Sequence, residues 1–223
     1  MQEFTDQMPS DIERFPMVPI RDVVIFPYTK VAFKIGRPSS VMALEQAMTG
    51  ERQIFLATQH DASVDEPNAE QIFEVGTLGR ILQAQRQENG QIKVVVEGRE
   101  RGRMVRVEQD DEGMFYAHVR RVPSTDESGY RTDGLLQRLH ALVEQLLRVS
   151  PDAYTDALHA ALRGVSAAQI ADSMSSHLRI EVAEKQELLE TVSVQERLQR
   201  LIDVLEAEID KRQLDRNIHS RTK

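Results

Sequence analysis

Near residue 124 the apolar residues change their spacing, and this change confines the chain to a β-rich half followed by a helical half. Before it, short apolar runs alternate with turn residues. After it, apolar residues recur every three or four positions, as one face of a helix requires. Hydrophobic residues at 40% and charged residues at 29% are enough for packed cores and argue against wholesale disorder. With no tryptophan and few aromatics, those cores must rest on Val, Ile, Leu and Met.

In the first half, Met17 to Phe26 is a strand-like run closed by Pro27, and Val31 to Ile35 alternates up to Gly36-Arg37-Pro38. Ser39 or Ser40 is placed to cap a helix through Met48 that ends at Thr49-Gly50. Gln53 to Thr58 reads as a strand, followed by an acidic loop from Gln59 to Glu70. Thr77 to Gln87 and Gln91 to Glu97 flank Glu88-Asn89-Gly90, for which Asn-Gly predicts a type I′ hairpin turn. Strands around Met104 to Val107 and Phe115 to Val122 complete a small closed or half-closed barrel.

In the second half, a loop from Pro123 to Asp133 precedes an amphipathic helix marked by Leu135, Leu139, Leu142, Val143 and Leu146. Ser150-Pro151-Asp152 is a stop and restart, and a helix through Tyr154, Leu158 and Ala161 ends at Gly164. Ser166 caps a segment reaching about Leu178, and another helix spans Val182 to Glu190. Ser193 with Glu196 forms a Ser-x-x-Glu start, after which Leu198, Ile202, Leu205 and Ile209 make a packing seam. Beyond Ile209, Arg212 and Arg216 take the seam positions while Leu214 and Ile218 move off it. If helical to His219, this element is about 40 Å long, and its last turns have little to pack on.

The search for chemistry yields exclusions. None of the eleven glycines is followed by lysine, so no Walker-type phosphate loop is present in this sequence. Gly76-Thr77-Leu78-Gly79 lacks the third glycine and the following helix of a dinucleotide site, and a turn or bulge explains it. The six histidines have no zinc-site spacing. Asp65-Glu66 and Asp110-Asp111-Glu112 lie in loops, where acidic residues are ordinarily solvated. Ser173, Ser175 and Ser176 sit beside His177 without a nucleophile elbow. No catalytic, cofactor or metal residue is therefore assigned. Arg99, Arg101 and Arg103 would share one face of a strand, with Arg106 nearby, either as a solvated face or as contact for acidic protein or a nucleic-acid backbone. A net charge of −8 argues against a dedicated nucleic-acid binder. Zero cysteines suit a reducing compartment, no long apolar run could span a membrane, and residues 1–10 lack a secretory pattern. The expectation is a cytoplasmic protein.

Three stretches carry a resemblance to the amino-terminal region of Lon proteases. The first is FPMVPIRDVVIFPYTKVAFKIGRPSSVMALEQAM, residues 15–48, with the steps Pro19-Ile20-Arg21-Asp22, Phe26-Pro27 and Gly36-Arg37. The second is VGTLGRILQAQRQENGQIKVVVEGRERGRM, residues 75–104, and the third is EKQELLETVSVQERLQRLIDVLEAEIDKRQLDRNIHSRTK, residues 184–223. Lys30, Ala32 and Lys34 depart from that family, which is more apolar there, and the departure concerns the strand's exposed face.

The resemblance implies an α+β chain: a β-rich, PUA-like pseudo-barrel with one short helix over 1–123, then an all-α helical bundle over 124–223 that ends in a long connecting helix. It implies a non-catalytic substrate-recognition and assembly region. The ATP- and Mg-using module and the serine-lysine protease module would lie further along a longer chain. Implied partners are unfolded or tagged protein substrates and other copies, as a homohexamer of the full-length protein. Met17, Phe26, Tyr28, Phe33 and Phe115 are the candidate substrate contacts, as apolar side chains of the barrel. The alternatives are a purely structural oligomerisation module and a stand-alone PUA-like RNA-binding protein. The latter is disfavoured by charge and by the lack of a base-stacking aromatic cluster.

Overall fold

A computed structural model describes residues 11–125, 129–150 and 156–221, with side chains to Asp215. The expected break at Pro151-Asp152 and the contribution of Tyr154 fall outside these residues, as do the Arg216 and Ile218 side chains. The chain divides into two compact units, Met1–Pro123 and Ser124–Lys223.

The first unit is a sheet with one α-helix laid against it. Its strands are β1 (Ile12–Ile20), β2 (Lys30–Ile35), β3 (Gln53–Thr58), β4 (Val75–Arg86), β5 (Ile92–Gln109) and β6 (Phe115–Val122), and α1 covers Pro38–Thr49. The order is β2-β5-β4-β3-β1-β6, and β5 also pairs with β6. Strands β5, β4, β3, β1 and β6 thus close on themselves, which removes their edges. All pairings are antiparallel except β1 with β3, because α1 carries the chain across between β2 and β3. Strand β2 pairs with the first third of β5, Lys30 opposite Glu97 through Ile35 opposite Ile92. Ile54, Val94, Val96, Ile81, Leu44 and Ala43 form the main core beneath α1, and Phe55, Ala117, Val119 and Met17 a second cluster.

Several elements differ from expectation for identifiable reasons. The first strand ends at Ile20, and Val23 to Phe26 is loop, buried from Val24 on, with the Val23, Ile25 and Phe26 carbonyls taken by side chains. The Thr58 hydroxyl donates to the Val23 carbonyl at 2.8 Å, Thr77 to Ile25 at 2.5 Å, and Thr29 to Phe26 at 2.7 Å. The two strands expected over 91–97 and 104–107 are one 18-residue strand with a register shift opposite Leu78/Gly79. The 87–91 turn is not type I′. Only Gly90 has positive φ (82°), the Gly90 amide donates to the Gln87 carbonyl and the Gln87 amide to Gln91. This is a type I turn closed by a left-handed glycine. The β5–β6 connection repeats it, with Gly113 at φ 87° and Asp110 Oδ1 accepting from the Glu112 and Met114 amides. Neither Ser39 nor Ser40 caps α1; Arg37 occupies the N-cap and Pro38 starts the helix, leaving Ser40 buried.

The second unit is helical: α2 (Tyr130–Val149), α3 (Asp156–Ala161), α4 (Ala167–His177), α5 (Val182–Glu190) and α6 (Val194–Arg221). Helix α2 begins within the stretch expected as loop. Ser166 caps α4 by accepting from the Gln169 amide at 3.2 Å, and Ser193 caps α6 by accepting from Glu196 at 3.3 Å. The seam residues Leu198, Ile202, Leu205 and Ile209 are all buried, and α6 packs along α2 with Leu139, Leu142, Val143 and Leu146. At its centre Arg197 and Asp172, both fully buried, pair at 3.0 Å, and Arg197 also donates to the Thr191 carbonyl.

Candidate functional site

A groove of about 850 Å³ lies in the first unit between the end of β1 and the end of β2. Its floor is apolar: Val18, Ile20 and Ile35 are buried, and the half-buried Phe33 packs against the same core. The loop Arg21–Val23, the α1 entry Gly36–Arg37, the acidic pair Asp65-Glu66 and the turn Asn89–Gln91 form its rim. Here the chain leaves one strand and enters a helix. An apolar pleat therefore ends beside charged loop residues.

The rim is organised by Arg37. Its guanidinium donates to Gln59 Oε1 at 2.7 Å and to the Pro19 carbonyl at 3.4 Å. Gln59 in turn donates to the Asp61 and Val64 carbonyls at 2.6 and 2.9 Å, folding the acidic loop over the groove. Arg21 pairs with Asp65 at 2.7 Å. Partial burial, and then the nearby Arg21 charge, lower the pKa of Arg37 from its ordinary value.

The two strand edges at the groove are unlike. On β1, the Ile20 carbonyl is used by the Gln59 amide on the β3 side, Pro19 has no amide hydrogen, and its carbonyl is taken by Arg37. That edge is closed to further pairing. Strand β2 is bonded to β5 on one side, and among the described residues no strand lies on its other side.

The five expected contact residues have different fates. Met17, Phe26 and Phe115 are buried, at 1%, 0% and 7% exposure, so they hold the core and offer no surface. Met17 and Phe115 are inward-facing positions of the closed sheet, and Phe26 belongs to the buried loop after β1. Phe33 lines the groove, and Tyr28 is 52% exposed. Tyr28 also adopts a left-handed backbone (φ 63°), held by its amide donating to the Gly98 carbonyl and the Gly98 amide to Thr29, both at 2.9 Å. Groove residues Val18, Ile20 and Arg37 are not among the candidates. The steps Pro19-Ile20-Arg21-Asp22 and Gly36-Arg37, which carry the family resemblance, nevertheless all line it.

The arginine stripe does not form. Arg101 is buried at 2% exposure, because the register shift after Gly98 breaks the alternation that would have put it beside Arg99 and Arg103. Arg99 pairs with Glu97, Arg103 with Glu74 and Arg106 with Glu108. Ser175 is a buried helix residue that donates to the Ala171 carbonyl. Among the described residues no cluster of His, Asp and Glu is placed to hold a metal ion, and no helix is long and apolar enough to cross a membrane.

Residues 14–207 match the family described as the ATP-dependent protease La (LON) substrate-binding domain. A Lon protease of Solibacter usitatus is 46% identical over 98% of this chain, and one of Haemophilus influenzae 35% identical over 93%. The chain spans about a quarter of the length of these relatives (27% and 26%). The N-terminal domain of a Mycobacterium avium complex Lon protease superposes with a TM-score of 0.70 at 22% identity, covering 87% of this chain and 98% of that one. A Lon N-terminal domain protein from Xanthomonas campestris superposes at 0.61 with 17% identity, over 86% and 98%. The two structures share the fold, and the match over 14–207 shows that this chain belongs to the Lon substrate-binding domain family.

Proposed function

We propose that this chain is a non-catalytic polypeptide-binding region, which receives non-native or tagged segments for an ATP-dependent serine protease of the Lon type. The observation that carries the reading is the groove: an apolar floor of Val18, Ile20, Phe33 and Ile35 opens beside charged rim residues and the free edge of β2. An extended segment finds there both a place for apolar side chains and backbone groups to pair with. Phe33 in the groove and Tyr28 beside β2 are the contact residues of this reading. ATP and Mg belong to a module of the longer relatives, as does peptide-bond cleavage, and the compartment of action is the cytoplasm.

The test is a fluorescence-anisotropy titration with a permanently unfolded, cysteine-alkylated reporter of near-zero net charge. Phe33→Ala and Tyr28→Ala should each weaken binding roughly fivefold. Equal affinities for the wild type and both variants would remove these residues, and no binding at all would remove the reading.

Assembly into a homohexamer is the second part of the proposal, for the full-length protein. The Leu198–Ile209 seam is already used inside the helical unit, so self-association must use other surface. Sedimentation of chains ending at Thr191 and at Lys223 tests it: identical monomers would leave these helices with no assembly role.

A further inference from the structure

On the outward face of β2, β5 and β4, three cross-strand rows place Lys30 beside Glu97 and Arg80, Ala32 beside Val95 and Gln83, and Lys34 beside Lys93 and Gln85. Lys30, Lys34, Lys93 and Arg80 are exposed, and among the described residues none has an ion-pair partner. Glu97, the carboxylate in these rows, is taken by Arg99. This runs against the rest of the unit and against the net charge of −8. Arg14 meets Glu108, Arg86 meets Glu45, Arg103 meets Glu74 and Arg120 meets Asp11. Lys34 and Lys93 stand directly opposite each other, an arrangement that costs stability in an antiparallel pair. Most other cations of the unit meet a carboxylate, Arg37 and Arg52 excepted, while this face stays positive.

We infer that the β2–β5–β4 face is a docking surface for an extended acidic polypeptide segment. The reading is a polypeptide because the face is a pleated strip: cations at Lys30 and Lys34 are separated by Ala32, and Lys93 by Val95 from Glu97, a period-two pattern that an extended chain with alternating acidic and small apolar side chains matches. The inference deepens the polypeptide-binding function above by naming the charge of one class of segment. The face is continuous with the groove, because Lys34 belongs to both.

The experiment uses the whole chain and a fluorescein-labelled peptide of alternating Glu and Ala, with its Gln-Ala counterpart and a single-stranded oligonucleotide of similar length as comparisons. The Glu-Ala peptide should bind in low salt, the Gln-Ala peptide should not, and affinity should fall as salt shortens the screening length. Lys34→Glu alone pairs with Lys93 and should raise the melting temperature, and the double variant Lys34→Glu, Lys93→Gln should weaken binding of the acidic peptide roughly tenfold. Lys211→Glu, an exposed position on α6, is the charge control and should change nothing. Equal binding of both peptides, or an unchanged affinity in the Lys34→Glu, Lys93→Gln variant, would overturn the inference. Tighter binding of the oligonucleotide, lost in the same variant, would overturn its assignment to polypeptide. The neutral unfolded reporter reports on the groove alone, so its Phe33-dependent binding would survive a failure here.

Discussion

Tyr28 and the Asp172–Arg197 pair carry backbone and charge arrangements that the surrounding fold enforces. Tyr28 is a left-handed non-glycine residue, a state costing an L-amino acid about 1–2 kcal/mol. Its neighbour across the ladder cannot be anything larger than glycine: a Cβ on Gly98 would lie 2.1 Å from the Phe26 carbonyl oxygen. Tyr28→Gly should therefore leave the melting temperature unchanged or higher while weakening the unfolded reporter. Gly98→Ala should cost about 3 kcal/mol or more in urea unfolding, since the clash is with backbone. In the helical unit, Asp172 and Arg197 are both fully buried, and removing one partner strands the other. Asp172→Ala should destabilise that unit by about 3–5 kcal/mol, measured as a fall in the urea midpoint at constant slope.

At the scale of elements, histidine at a helix end sets a pH dependence. His177 closes α4, and burial, then the nearby Lys185 charge, lower its pKa from the ordinary value. The Lys185 ammonium donates to the Ser176 carbonyl at 2.8 Å, and burial lowers its own pKa as well. A lowered folded pKa means that the unfolded chain takes the proton first. Stability is complete above about pH 6.5 and falls as pH drops below it. His177→Gln should flatten the stability profile below about pH 6.5; an unchanged slope would mean that the loss comes from other groups.

The same scale explains what the sequence could reveal. Periodicity located β2, β3, β6 and the helical seams, because each faces one core and its apolar spacing is uninterrupted. The Ser166 and Ser193 caps were legible from local chemistry alone. Residues Val23 to Phe26 were misassigned because burial, which sequence reports, is not strand pairing, and their carbonyls go to Thr58, Thr77 and Thr29 from elsewhere in the chain. Asn89-Gly90 announced a turn, but the number of positive-φ residues in it depends on the twist and register of β4 and β5. Of the candidate contacts, Phe33 and Tyr28 remain at the surface. Met17 and Phe115 are indistinguishable from them in sequence, since an apolar strand residue faces inward or outward according to register alone, and Phe26 is buried in a loop that no periodicity marks. The groove itself joins Pro19 to Arg37 and Asp65, separations that no periodicity encodes.

On the scale of the whole molecule, each unit has its own core, and Pro123 and Ser124 mark the change from one to the other. Residues 1–123 alone should give a β-rich circular-dichroism spectrum, unfold cooperatively and keep their affinity for the Glu-Ala peptide. A fragment that is unfolded would show that the sheet needs the helical unit to be stable.

Under the proposed function, the use of the Pro19 carbonyl by Arg37 has a bearing on how a polypeptide-binding surface limits aggregation. At the groove a guest strand would add outward from β2, since the Pro19 and Ile20 carbonyls of β1 are already taken by Arg37 and by the Gln59 amide. Within the groove, that leaves one border for an added strand and none opposite it, so stacking of further layers has no template there.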